Sequence, residues 1–137
     1  MTTAIDSNVL IDVIGEENRF TDAGIRALDA ARHAGRLIVC PVVAAEISGH
    51  FHSHEELASA LDRMGIALCE MSAVALHGAG AAYVDYKRRS SAPKPRMLAD
   101  FLVGGHALWQ ADRLLTRDRG YYRTYFPKLA VLDCRDY

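Results

Sequence analysis

Short apolar runs alternate with longer helical patterns along the chain. Thr2 to Ile5 is short and β-branched and reads as a strand ending at Asp6. Asp6, Ser7 or Asn8 can cap a helix over Val9 to Ile14, which Gly15 stops. Thr21 or Asp22 opens a second helix to about Ala34, with Ile25, Leu28 and Ala31 at helical spacing. Leu37 to Cys40 reads as a buried strand, and Pro41 suits the first position of a helix running to about Gly49. Ser53 and Glu56 form a capping-box pattern for a helix to Met64 that Gly65 ends. Ile66 to Met71 reads as extended, and Ser72 caps a longer helix to about Arg89. Ser90 to Pro95 breaks the pattern. Beyond it, Met97 to Ala111 reads as a helix and Arg113 to Thr116 as a strand. Arg119 to Tyr125 reads as a short helix or turn, and Leu129 to Leu132 as a final strand.

Strands that alternate with helices predict an α/β fold. Its centre is a parallel sheet of about four or five short strands, flanked by helices on both faces. The chain has 137 residues, which predicts one domain over 1–137. Half of the residues are hydrophobic and the net charge is −1, which excludes an intrinsically disordered chain. Cys40, Cys69 and Cys134 lie far apart with no Cys-x-x-Cys, so neither a disulfide framework nor a zinc knuckle is expected. The longest uncharged stretch, Met71 to Val84, has 14 residues, too few to span a bilayer. No signal peptide is visible, no membrane association is expected, and a cytoplasmic location follows.

The small net charge hides two opposed halves. Residues 1–86 carry 5 Lys and Arg against 12 Asp and Glu, whereas residues 87–137 carry 11 against 5. The densest basic run holds Lys87, Arg88, Arg89, Lys94 and Arg96. Arg113, Arg117, Arg119 and Arg123 form a second set. Such clusters suit phosphate backbones. Lys87 to Arg89 equally suit the end of a helix, where the dipole favours cations.

In parallel α/β sheets ligands bind beyond the carboxyl ends of the strands. Four acids fall there. Asp6 ends the first strand, and Glu46 lies about a turn into the helix after the second. Asp100 sits in the first turn of its helix, and Asp118 follows the strand Leu114-Leu115-Thr116. Brought together they would repel and raise one another's pKa values. A hard divalent cation would reverse that cost. Singly, each has a bland reading: Asp6 as a cap, Asp100 as a dipole-favoured acid, Asp118 as a turn residue. Glu46, flanked by Val42 to Ala45 and Ile47, is harder to excuse.

Four motifs in order carry a family resemblance. Ala4-Ile5-Asp6-Ser7-Asn8 resembles the opening motif of PIN-domain nucleases, and Val42-Val43-Ala44-Ala45-Glu46 the second. Leu98-Ala99-Asp100-Phe101 resembles the third, and Leu115-Thr116-Arg117-Asp118 the fourth. The resemblance covers essentially the whole chain. The single-domain length and the basic segment before Asp100 resemble the VapC toxins of bacterial and archaeal toxin–antitoxin pairs. This implies a PIN-like fold and a Mg²⁺- or Mn²⁺-dependent endoribonuclease that hydrolyses RNA phosphodiester bonds with a metal-activated water. Asp6, Glu46, Asp100 and Asp118 would be the catalytic, metal-holding acids, one ion or two. Asn8 and Thr116 match positions that contact the acids or the metal's water. Lys87, Arg88, Arg89, Lys94, Arg96, Arg117 and Arg119 are the candidate RNA contacts. A VapB-type antitoxin partner and a homodimer are implied as well.

Other classes were weighed against this. A haloacid-dehalogenase phosphatase needs Asp-x-Asp after the first strand, where Asn8 stands. A receiver domain wants an acidic pair there, where Ser7 stands, and a late strand-end Lys. A non-toxin RNA-processing nuclease and a non-catalytic RNA- or protein-binding module stay open. His50, His52 and His54 read as a polar turn between helices or as RNA contacts near Glu46. Trp109 reads as core. Tyr121 and Tyr122 read as core or as base-stacking surfaces. Gly104 and Gly105, mid-helix, predict close approach of another element.

Overall fold

The computed structural model describes residues 1–91 and 96–137, so Lys94 lies outside the described residues. Five strands form one sheet: β1 (Thr2–Ile5), β2 (Arg36–Val39), β3 (Ile66–Leu68), β4 (Arg113–Thr116) and β5 (Val131–Asp133). Their order is β3-β2-β1-β4-β5, and every pairing is parallel. The helices are α1 (Ser7–Ile14), α2 (Thr21–Ala34), α3 (Pro41–Ile47), α4 (His54–Met64), α5 (Ala73–Arg89), α6 (Leu98–Gln110) and α7 (Arg119–Tyr125). The expected α/β class and parallel sheet are what the chain adopts.

Consecutive residues of the central strands are buried: Thr3, Ala4 and Ile5 in β1, Leu114, Leu115 and Thr116 in β4. Side chains alternate in direction along a strand, so both faces of the sheet must be covered. The helices supply that cover, and one core runs through the molecule. The chain builds β2 and β3 on one side of β1, then β4 and β5 on the other. The crevice between β1 and β4 is therefore the switch point, where α/β sheets open their binding sites.

Local signals account for most boundaries. The Asp6 carboxylate accepts the Ser7 amide at 2.8 Å and caps α1. Ser53 accepts the Glu56 amide at 3.1 Å and caps α4, while Glu56 accepts from the amide of His52 rather than that of Ser53. Ser72 caps α5, and Gly65 closes α4 at φ +69°.

Three expected boundaries shift. α3 stops at Ile47 and continues as a 3-10 turn over Ser48–His50. Ser53 caps α4 as expected, which leaves His50 and His54 on different elements. The extended stretch after Ile66 pairs only to Leu68, in register with Val39 at the end of β2. The last strand lies at Val131–Asp133, because Val131, Leu132 and Asp133 pair with Leu114, Leu115 and Thr116. Leu129, expected in that strand, instead enters the core from the preceding turn. A 3-10 turn over Cys134–Asp136 ends the chain.

α5 and α6 pack tightly. A Cβ on Gly105 would stand 2.7 Å from that of Ala79 and 2.9 Å from the Ala75 carbonyl. Close approach is thus why a costly mid-helix glycine is used. Trp109 is not core. It is 53% exposed and lies on the outside of this seam over Gly78. Tyr121 and Tyr122 are buried in an aromatic cluster with Phe101, Tyr125 and Phe126, which leaves them no face for a base. Among the described residues, no helix is long and apolar enough to cross a membrane.

Candidate active site

Asp6 is the best-held of the four acids. β1 ends at Ile5, and the Asp6 amide donates to the Leu115 carbonyl at 3.0 Å, locking it beside β4. The residue is only 7% exposed. One oxygen accepts from the Thr116 hydroxyl at 2.8 Å, from the Tyr122 hydroxyl at 3.1 Å and from the Asn8 amide at 3.3 Å. Burial pushes the Asp6 pKa up, and the Thr116 and Tyr122 hydrogen bonds pull against that. The negative charge of Asp100 adds to the upward push. Tyr122 is in turn held far above the usual phenol range, by burial and then by Asp6.

Asn8 and Thr116 knit the two strand ends together. Asn8 donates to the Thr116 hydroxyl at 3.3 Å and accepts from the Arg117 amide at 3.1 Å. Thr116 also accepts from the Asp118 amide at 2.9 Å, which fixes the turn that presents Asp118.

Glu46 stands on α3, which follows β2, the neighbour of β1. It is exposed rather than embedded, because Val43, Ala44 and Ile47 take the inward face. Desolvation raises its pKa, and the charges of Asp6 and Asp100 raise it further. Asp100 lies in the first turn of α6 and accepts from the Met97 amide at 3.3 Å. The charge of Asp100 thus acts on both Asp6 and Glu46.

Asp118 differs from these three. Its carboxylate binds Arg96 at 2.8 Å, both side chains being 39% exposed. No other ion pair reaches any of the four acids among the described residues.

The remaining candidate cations divide. Lys87, Arg88 and Arg89 are exposed in the last turn of α5. Arg89 pairs with Asp85 one turn back at 3.1 Å. Arg119 reaches Asp133 and Asp136. Arg117 is bound inward. It grips both oxygens of buried Asp12, at 2.6 and 3.2 Å, and lies 4.2 Å over the Phe20 ring. This clamp joins α1 to the end of β4, and nothing in the local pattern around Asp12 announced it. The Tyr122 contact to Asp6 was equally unannounced.

Whether such a site suits a divalent cation is decided by its donors. They are hard carboxylate and hydroxyl oxygens, three of the carboxylates have no ion-pair partner among the described residues, and their charges repel. That is the chemistry Mg²⁺ and Mn²⁺ prefer. Among the described residues no group of three His, Cys, Asp or Glu side chains stands close enough together to hold a metal ion as it is. A donor set spread in this way suits an ion that keeps several waters.

The PIN domain family model matches residues 3–127. The chain belongs to the PIN domain family. Among solved structures, this PIN domain is similar to VapBC2 from Rickettsia felis bound to a promoter DNA fragment. The TM-score is 0.72 at 18% identity, covering 97% of this chain and 98% of that one. It is similar to VapBC-1 from nontypeable Haemophilus influenzae, with a TM-score of 0.70 at 16% identity, covering 98% and 99%. It also resembles Mycobacterium tuberculosis VapC20, a sarcin-ricin-loop-cleaving toxin, with a TM-score of 0.56 at 11% identity, covering 82% and 86%. At these identities the likeness is one of fold. No curated protein sequence matches the chain.

Proposed function

We propose that this PIN domain is a Mg²⁺- or Mn²⁺-dependent endoribonuclease and the toxin half of a toxin–antitoxin pair. The observation that carries the reading is the acid set beyond the strand ends at the β1/β4 switch point, where Asp6, Glu46 and Asp100 repel one another and form no ion pair among the described residues. Maintaining such a cluster costs stability, and sites that do so are commonly functional.

Asp6, Glu46, Asp100 and Asp118 would hold the ion. When bound, it supplies positive charge for polarising a phosphodiester and for activating water. The chain's own residues do the rest. Thr116, Tyr122 and Asn8 fix the Asp6 carboxylate in one orientation, so that it meets a ligand without rotamer loss. Lys87, Arg88, Arg89 and Arg96 offer charge to an RNA backbone near Asp100, with Lys94 in the same stretch of sequence. Arg117 and Arg119 are tied to the buried acids Asp12 and Asp133, unlike Arg89 and Arg96, whose partners are exposed or half-exposed, so they give the RNA less.

The partner half of the reading rests on the similar VapBC structures and on apolar surface left uncovered. Leu57, Ala58, Leu61, Ile66 and Leu68 line a groove between α4 and the edge strand β3. Val74, Leu76 and Val84 on α5 and Trp109 on α6 are exposed. A VapB-type antitoxin and a second copy of the chain are the proposed occupants of these surfaces. The compartment proposed is the cytoplasm.

The test is cleavage of a mixed pool of transfer and ribosomal RNA by the purified chain with Mg²⁺ or Mn²⁺. Discrete fragments that vanish with EDTA are expected. Intact RNA together with no metal binding would transfer the reading to a non-catalytic module.

A further inference from the structure

Arg96 occupies an unusual position relative to the acids. Its backbone amide donates to the buried Tyr86 hydroxyl at 2.6 Å, which anchors the residue to the core. From there the side chain crosses to Asp118, at 2.8 Å. Its guanidinium carbon lies 4.4 Å over the Tyr121 ring, a face that rewards a cation. Partial burial works against its charge, but Asp118, and then Asp100, more than restore it. A cation therefore already stands at one corner of the acid set, on a side chain still 39% exposed.

Two demands compete for that corner. A divalent cation at the site would draw on the Asp118 oxygen that Arg96 holds. A phosphodiester offers Arg96 an alternative anion with matching bidentate geometry. We propose that Arg96 is an exchangeable stand-in cation: it holds Asp118 while the site is free, moves to a backbone phosphate when RNA arrives, and so makes RNA and divalent cation bind cooperatively. Linkage makes the effect reciprocal, so RNA tightens metal binding by the factor with which metal tightens RNA binding. The proposal rests on the metal-nuclease reading above and adds to it the order in which the site loads.

The experiment is a Mn²⁺ titration of the full chain, followed by calorimetry or by the free-Mn²⁺ spin-resonance signal. It is run with and without a short DNA oligonucleotide as backbone mimic, on wild type, Arg96→Gln, Arg96→Lys and Asp6→Asn. Removing the competing cation in Arg96→Gln tightens Mn²⁺ binding without oligonucleotide about three- to fivefold, the worth of a partly exposed ion pair. The oligonucleotide tightens Mn²⁺ binding to the wild type by a similar factor and leaves Arg96→Gln nearly unchanged. Arg96→Lys, which keeps a cation, stays near wild type. Thermal unfolding confirms that each variant is folded. Equal Mn²⁺ affinity in wild type and Arg96→Gln, with binding lost in Asp6→Asn, overturns the stand-in role and leaves the metal site intact. No Mn²⁺ binding by wild type or Arg96→Gln overturns the metal reading, and the proposal with it.

Discussion

The molecule treats its carboxylates in two opposite ways. At the flanks, buried acids have cationic partners. Asp12 is gripped by Arg117, and Asp133 by Arg135 and Arg119. Arg135 holds the Asp133 pKa below the usual carboxylate value, against the push of burial. At the switch point, Asp6 and Glu46 are driven the other way, by desolvation and then by the charges of neighbouring acids. Both groups stand at or near the carboxyl edge of the same sheet, and both lie within reach of arginine-rich segments. The difference lies in whether the fold places a cation against them. Paired acids serve as clamps between elements. The others, without an ion pair among the described residues, are the ones proposed as ligands, and Asp118, held by Arg96, stands between the two kinds.

The largest expected effect breaks function and spares the fold. Asp100→Asn keeps an acceptor for the Met97 amide and loses a charge that repels Asp6 and Glu46. RNA cleavage is expected to fall by about 10³-fold, the several kcal/mol that a misplaced metal site forfeits. Urea unfolding without metal is expected to show stability unchanged or raised, by up to about 1 kcal/mol. A folded Asp100→Asn with full activity would remove the acid from the site.

Asp12→Ala reverses that pattern. It leaves Arg117, 29% exposed, without its buried partner and the Asn18 amide without an acceptor in Asp12. A loss of about 2–3 kcal/mol is expected by chemical denaturation. Cleavage by the molecules still folded should persist, since no candidate ligand is touched.

The smallest effect concerns a group that the fold keeps neutral. His106 is 1% exposed, and its Nε2 finds no partner among the described residues. Burial lowers its pKa from the ordinary 6.5. The unfolded chain takes up a proton as pH falls through that value, and the folded chain refuses it until lower pH. Stability is therefore full above about pH 7 and declines as pH falls below it. A loss of about 1 kcal/mol is expected between pH 7 and pH 5.5. His106→Leu should flatten that part of the profile, as measured by urea midpoints at the two pH values.

The elements of the fold were legible because their signals are local. Ser53, Gly65, Ser72 and Pro41 mark helix ends by backbone geometry, and β1, β2 and β4 are short buried apolar runs. The acids were legible for a related reason. A parallel sheet puts its strand ends on one edge, so Asp6 and Asp118 could be placed before any contact was known. Pairings between distant segments were not legible. Arg117 with Asp12, Arg96 with Asp118 and Tyr122 with Asp6 each join residues about 20 to 120 apart in sequence, and residue types alone do not select among so many partners. Trp109 misled because a large apolar side chain usually means core, whereas here Gly78 opens a surface ledge for it. Glu46 misled in the other direction, since apolar neighbours in sequence occupy another face of its helix.

The central claim is that the unpaired acids await a divalent cation, and thermal unfolding against Mn²⁺ concentration tests it most directly. At about 100 times the dissociation constant, a bound ion adds about 2.7 kcal/mol, on the order of 5–10 °C in a domain of this size. Wild type is expected to show that saturable rise, and Asp100→Asn to lose most of it while Asp12→Ala, starting lower, retains it. An unfolding temperature in wild type that does not move with Mn²⁺, or that moves equally in Asp100→Asn, would contradict the account.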